Sequence, residues 1–271
     1  MKSRIIGQIV FDEAKLAQEL DVIATLPFNK SYSEYAIGDW RNCVLWNQTG
    51  NHDDTIFNDY EGLPKPTELG KKTTYISSII EETFNLEYLR WARIFLVKEG
   101  MLRPHRDYLE FEDQEFSRCH IPIQTDASSM HTERGNVFNM QKGEIWYLDA
   151  SVPHSACSFS GIERMTINLD FFSGVPFEKL FKNDAYIEYK EPAMVDRPPL
   201  TDDYVESLLT MGDIIHDYNF QDVAAILSKV HYIRDCDPAL TYDWLIQICE
   251  RSNQPDLVTR AIDMKKYFLG E

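Results

Sequence analysis

Leu89-Arg90-Trp91-Ala92-Arg93-Ile94-Phe95-Leu96-Val97 is the stretch on which the fold turns. Ahead of it, Tyr75, Ile76, Ile79, Ile80 and Phe84 recur at helical spacing. From Leu89 onward that period gives way to short apolar and aromatic runs separated by turn residues. Strands are predicted at 89–97, 101–107, 115–124, 136–140, 143–148, 152–159 and 164–171, with Lys98-Glu99-Gly100 as a turn between the first two. Short strands with no helix among them predict an antiparallel jelly roll or barrel. The fold class expected from the pattern is mainly β with α, an antiparallel jelly roll or barrel with flanking helices.

Upstream, 4–11 reads as a strand and Asp12 as a helix N-cap. Leu16, Leu20 and Ile23 follow at helical spacing until Pro27 ends the run. The segment 43–50 reads as a strand entering a polar turn, and His52-Asp53-Asp54 as a solvated loop. Downstream, Pro192, Pro198 and Pro199 mark a linker. Beyond it, helical stripes appear at Val205, Leu208, Leu209 and Ile215, at Val223, Ile226, Leu227 and Val230, and at Trp244, Leu245, Ile248 and Cys249. Two domains are expected, a jelly roll over 1–197 and a C-terminal helical domain over 198–271.

The 271 residues include 44% hydrophobic residues and carry a net charge of −17. That is enough apolar matter for a core, and too much negative charge to favour nucleic acid or an anionic membrane as partner. Five widely spaced cysteines contain no Cys-x-x-Cys pair and suggest buried thiols. No apolar run reaches the length of a membrane span. A cytoplasmic protein is expected, with a homodimer among its possible states.

Within the second predicted strand lies Pro104-His105-Arg106-Asp107. In an extended chain, residues two apart share a face, which sets an imidazole beside a carboxylate. A third ligand would complete two histidines and one carboxylate around a metal, the donor set of non-haem Fe(II) oxygenases. His154 follows about fifty residues later in Val152-Pro153-His154-Ser155-Ala156, and Arg164 ten residues beyond it. A fixed planar cation grips a carboxylate bidentately. Metal, open coordination positions and a carboxylate anchor together fit 2-oxoglutarate. Arg118 and His120 also share a face, opposite Cys119 and Ile121, and such a pair suits either an anionic ligand or a buried ion pair. Arg93 has the same two readings. Trp40 and Trp46 suit a ligand wall or a core.

The segments Arg93-Ile94, Pro104-His105-Arg106-Asp107-Tyr108-Leu109-Glu110, Arg118-Cys119-His120, Gly143-Glu144-Ile145-Trp146-Tyr147-Leu148-Asp149-Ala150, Pro153-His154-Ser155-Ala156 and Arg164 resemble the bacterial L-proline hydroxylases. These act on the free amino acid and sit among the aspartyl/asparaginyl β-hydroxylase-like 2-oxoglutarate dioxygenases. The similarity takes in the stretch 40–50 and Tyr242-Asp243-Trp244-Leu245, and so covers most of the chain. It implies a double-stranded β-helix (cupin-like) core with a C-terminal helical domain, and Fe(II) on His105, Asp107 and His154, with O2 as co-substrate and the distal 2-oxoglutarate carboxylate on Arg164. His120 would meet the iron-proximal end of 2-oxoglutarate. Arg118, Arg93, Trp40 and Asn47 would surround a small amino acid. Hydroxylation of L-proline at cis-4 is the expected reaction, with cis-3 hydroxylation, pipecolate or another free amino acid as alternatives. A metal isomerase without O2 and a non-catalytic binding barrel are readings from other classes.

Overall fold

The computed structural model describes residues 1–31, 33–55, 60–107 and 116–270. Tyr108, Leu109 and Glu110 of the resembling motif, and the first residue of the strand predicted at 115–124, lie outside the described residues.

Eleven strands form among the described residues: β1 Arg4–Gln8, β2 Ala36–Asn47, β3 Lys65–Pro66, β4 Leu89–Leu102, β5 Phe116–Gln124, β6 Met130–Glu133, β7 Asn136–Asn139, β8 Glu144–Leu148, β9 His154–Ser158, β10 Arg164–Phe172 and β11 Ala193–Met194. Their hydrogen-bonded order is β1-β8-β5-β10-β4-β9-β6-β7-β11, with β2 on β4 and β3 on β2, and every strand pairing is antiparallel. The curled sheet is the jelly-roll half-barrel that the strand pattern predicts.

β4 joins its two halves. Residues 89–98 pair with β10 and β2, while Gly100 and Met101 pair with Ser158 and Cys157 of β9. Lys98-Glu99-Gly100 is therefore not the predicted turn, and the strand runs through it. The partner strand accommodates the irregularity with a register shift between Ile37 and Asp39, around Gly38 at φ +88°. A Cβ on Gly38 would lie 2.6 Å from the Glu99 carbonyl oxygen, so only glycine fits.

Alternation divides β10 into two faces. Met165, Ile167, Leu169 and Phe171 belong to the main core, together with Ala92, Ile94 and Leu96 of β4 and Cys119, Ile121 and Ile123 of β5. Helices α1 Glu13–Ile23, α2 Glu68–Lys72 and α3 Thr74–Thr83 supply Leu16, Ile23, Leu69, Ile76, Ile79 and Ile80 to the same core. Each such side chain, once buried, contributes about 1.5–3 kcal/mol. Asp12 caps α1 as expected, its Oδ1 accepting from the Ala14 and Lys15 amides at 3.1 Å. The other face of β10 carries Arg164, Thr166, Asn168 and Asp170, all buried, and looks into the barrel.

The C-terminal helices are α4 Asp202–Leu209, α5 Phe220–Leu227, α6 Val230–Ile233, α7 Leu240–Arg251 and α8 Pro255–Leu269. They enclose a core of their own around Phe220, Leu227, Leu245, Ile248 and Ala261. The sequence stripes locate α4, α5 and α7 but leave out α8, which begins with Pro255 at its first turn, a favoured start for a helix. Two further differences bear on the site. The extended run expected through Asp107 ends at Leu102, because Pro104 has no amide with which to continue a ladder. The strand β6 stands where none was predicted. No helix among the described residues is long and apolar enough to cross a membrane.

Candidate metal centre and active site

Past the end of β4 the chain touches β9 at one pair. His105 and His154 exchange both backbone hydrogen bonds, at 3.0 and 2.9 Å, as an isolated antiparallel bridge. Directly opposed residues put their side chains on one face, and the two rings stand 4.3 Å apart. Each ring is oriented the same way. His105 Nδ1 donates to the Arg103 carbonyl at 2.7 Å, and His154 Nδ1 to the Val152 carbonyl at 3.0 Å. A carbonyl only accepts, so each Nδ1 carries a proton and Nε2 is the nitrogen left facing inward for a metal.

Asp107 reaches the same point from an irregular turn whose amide is held by the Ala150 carbonyl at 2.9 Å. Its oxygens lie 3.3 Å from His105 Nε2 and 3.9 Å from His154 Nε2. The three ligand atoms all fall within 4.8 Å of one another, the only such grouping among the described residues. Burial alone would push the Asp107 carboxyl up. The Arg118 guanidinium and then the two imidazoles outweigh it and hold the group well below the usual carboxylate range. Burial and the neighbouring His105 bring His154 down to about 4, so it is neutral near pH 7. Two oriented imidazoles and one ionised carboxylate are chemically suited to Fe(II). The residues present fit that ion.

Around this point the inner faces of three strands form rows. Asp170 of β10 lies opposite Trp91 and Arg118, Asn168 opposite Arg93 and His120, and Thr166 opposite Phe95 and Pro122. Asp170 is fully buried and holds two cations: its Oδ2 accepts from Arg93 at 2.6 Å and its Oδ1 from Arg118 Nε at 2.7 Å. Arg118 also bonds to Asp107. The buried ion-pair reading of these arginines holds: Asp170 joins the two guanidiniums, and Arg118 bridges it to Asp107. His120 is buried with neither ring nitrogen hydrogen-bonded. Burial first, then Arg118 and Arg164, hold its pKa well below the ordinary value. It can accept or donate a hydrogen bond as a neutral ring.

Arg164 sits at the start of β10, 4% exposed. Its guanidinium touches the carbonyl oxygens of Met130 and Cys157 at 3.3 and 3.4 Å, and no acidic side chain among the described residues pairs with it. A buried cation held only by neutral acceptors, here two carbonyls and the Met140 sulfur at 3.9 Å, is costly unless a ligand brings an anion.

Trp40 pairs across from Val97 and packs on Phe95, ring centroids 5.1 Å apart, and the Arg93 guanidinium lies over the Phe95 ring. This is an apolar wall beside a cation. Two aromatic and polar candidates do not belong there. Trp46 is in the main core, its indole N–H on Ser77 at 3.3 Å. Asn47, expected near the substrate, is the last residue of β2. Its amide donates to the Asn51 and Asp54 carbonyls and its oxygen accepts the Gly50 amide, so every polar atom is used in building the turn after β2.

His131 on β6 is the group that the sequence did not disclose. It is 3% exposed, its ring stacks on His154 at 5.9 Å, and it meets His120 edge-on at 6.0 Å. The surrounding Thr125-Asp126-Ala127-Ser128-Ser129 reads as loop and hides a four-residue strand. The available signal was Arg134-Gly135, a two-residue hairpin turn in which Arg134 takes φ +52°.

A family model described as aspartyl/asparaginyl beta-hydroxylase matches residues 8–173, and one described as L-proline 3-hydroxylase, C-terminal, matches residues 178–271. The chain is 35% identical to an L-proline cis-4-hydroxylase of Rhizobium meliloti, over all of this chain and 96% of that one. It is 32% identical to L-proline cis-3-hydroxylase 1 of a Streptomyces species, with the same coverage. Among solved structures, a 2OG-Fe(II) oxygenase family oxidoreductase from Burkholderia pseudomallei superposes with a TM-score of 0.41 at 16% identity, covering 60% of this chain and 79% of that one.

Proposed function

The chain belongs to the aspartyl/asparaginyl β-hydroxylase family, and from that premise we propose that it hydroxylates free L-proline, at the cis-4 position, using Fe(II), 2-oxoglutarate and O2. The observation that carries the reading is the convergence of His105, Asp107 and His154, with a buried arginine close by that has no acidic partner among the described residues. His105 and His154 hold the metal through Nε2 and Asp107 through its carboxylate. When bound, the iron couples decarboxylation of 2-oxoglutarate to succinate and CO2 with insertion of one oxygen atom of O2 into a substrate C–H bond.

The chain's own work is placement. Arg164 seats the distal carboxylate of 2-oxoglutarate and His120 its iron-proximal end. Arg118 and Arg93, tied together by Asp170, present guanidinium donors to the carboxylate of the amino acid. Trp40 and Phe95 give the pyrrolidine ring an apolar neighbour and exclude water from it. The substrates are small metabolites of the cytoplasm, and five buried free cysteines suit that compartment.

Incubation with Fe(II), 2-oxoglutarate and a panel of free amino acids tests the reading. Proline is expected to gain one oxygen, with one succinate formed per product and cis-4-hydroxyproline resolved from the cis-3 isomer by chromatography. Succinate-free turnover would point to a metal isomerase, and no turnover with any amino acid would sink the proposal. Arg164→Ala should weaken 2-oxoglutarate binding by about 1.5–3 kcal/mol, roughly ten- to a hundredfold, as expected for lost hydrogen bonds to a charged group. Titration calorimetry reads this directly. Because Arg164 is not offset by an acid, its removal should leave thermal stability nearly unchanged.

A further inference from the structure

We propose that the C-terminal helices are the positioning frame of the metal centre, acting on His105 through Tyr242 and on His154 through Tyr232; the inference rests on the function proposed above. The stretch from Arg103 to Asp107 is irregular and contains a proline without an amide; the barrel holds it at the His105–His154 bridge, at the Arg103 amide on the Tyr35 carbonyl, at the Asp107 amide and through Arg118 on the Asp107 carboxylate. Its other fastenings come from outside the barrel. Tyr242 Oη, on α7 and 1% exposed, donates to the Pro104 carbonyl at 2.6 Å. The Phe268 carbonyl at the end of α8 accepts the Arg106 amide at 2.9 Å, and Gln221 on α5 accepts from Arg103 at 2.9 Å. Tyr35 is wedged between the His105 ring, 4.9 Å away, and Phe268, 5.2 Å away.

The consequence for His105 is geometric. Consecutive carbonyls in this stretch have opposite duties. That of Arg103 fixes the His105 ring through Nδ1, and that of Pro104 is fixed by Tyr242. If the Pro104–His105 peptide rotates, the His105 backbone moves with it, its ring leaves the Arg103 carbonyl and the Nε2 direction is lost. The second ligand has a parallel fastening. Ser155, next to His154, gives its hydroxyl proton to the Leu102 carbonyl at 2.7 Å, so Tyr232 Oη, 2.8 Å away, is the donor to Ser155. One helical unit therefore bears on both histidine-carrying segments from behind.

Removing a partner that orients a metal ligand typically lowers metal affinity 10–100-fold. The experiment is titration of the metal-stripped full chain with Co(II), alongside thermal melts, for wild type, Tyr242→Phe, Tyr232→Phe and Arg197→Ala. Tyr242→Phe removes one hydroxyl and keeps the ring. It is expected to raise the Co(II) Kd by about tenfold or more, with the KM for the amino acid unchanged at saturating metal. Tyr232→Phe is expected to act in the same direction. Arg197 staples the same helices to the barrel through the Gly135 and His231 carbonyls, clear of the 103–107 stretch and beside Tyr232. Its loss should lower the melting temperature and raise the Kd less than Tyr242→Phe does. An unchanged Kd in Tyr242→Phe, or an equal rise in Arg197→Ala, would overturn the inference. Wild type that binds no Co(II) would instead remove the proposed function beneath it.

Discussion

Asp107→Ala is expected to abolish 2-oxoglutarate-dependent hydroxylation while the protein still folds. The carboxylate is the only anionic donor in the cluster, and it is held ionised by Arg118 and by both histidines. Without it, two neutral imidazoles hold the metal with no compensating charge. The affinity loss should exceed the roughly 100-fold that a mere orienting partner costs. Folding survives because Arg118 keeps its bond to Asp170, and the Asp107 backbone amide keeps its bond to Ala150. The measurement is Co(II) affinity and succinate formation beside a melting curve. Full activity in Asp107→Ala would dismantle the proposed ligand set.

Asp170→Ala should be the most destabilising change in the barrel. A fully buried carboxylate there faces the guanidiniums of Arg93 and Arg118. Taking one member from a buried ion group leaves uncompensated charge and costs about 3–5 kcal/mol. For a chain of this size that is a fall of roughly 6–20 °C in melting temperature. Asp170→Asn keeps the shape and one acceptor and should fall between the two. It should also raise the KM for the amino acid more than that for 2-oxoglutarate, since Arg164 does not depend on Asp170. Equal effects on both would mean that the two arginines do not serve the amino acid.

Much of this arrangement is legible in the residue pattern because period two is a strong signal. It sets Arg118 with His120 and Arg164 with Asp170 on inner faces, and leaves Cys119, Ile121, Ile167 and Leu169 for the core. Asp12 is legible as a cap for the same local reason. What fails is whatever distant chain decides. Lys98-Glu99-Gly100 looks like a turn until Gly38 on the neighbouring strand gives it room to pass. The position of Asp107 depends on Ala150, and that of its neighbour Arg106 on Phe268 in the last helix. Asn47 looks like a ligand contact because its sequence neighbours do, yet the turn after it uses all its polar atoms. His131 hides in a strand too short to show a period.

The two-sidedness of β10 sets the terms on which this catalyst can change. Substitutions at Thr166 or Asn168 would alter the cavity lining while leaving the packed layer behind it intact, so new substrate preferences are reachable one codon at a time. Insertion or deletion of a single residue in that segment would exchange the two populations, driving Arg164 and Asp170 into oil and presenting Ile167 and Leu169 to the metal. Diversification within this lineage is accordingly expected to proceed by replacement along the strand and by length variation only in the loops that join it to its neighbours.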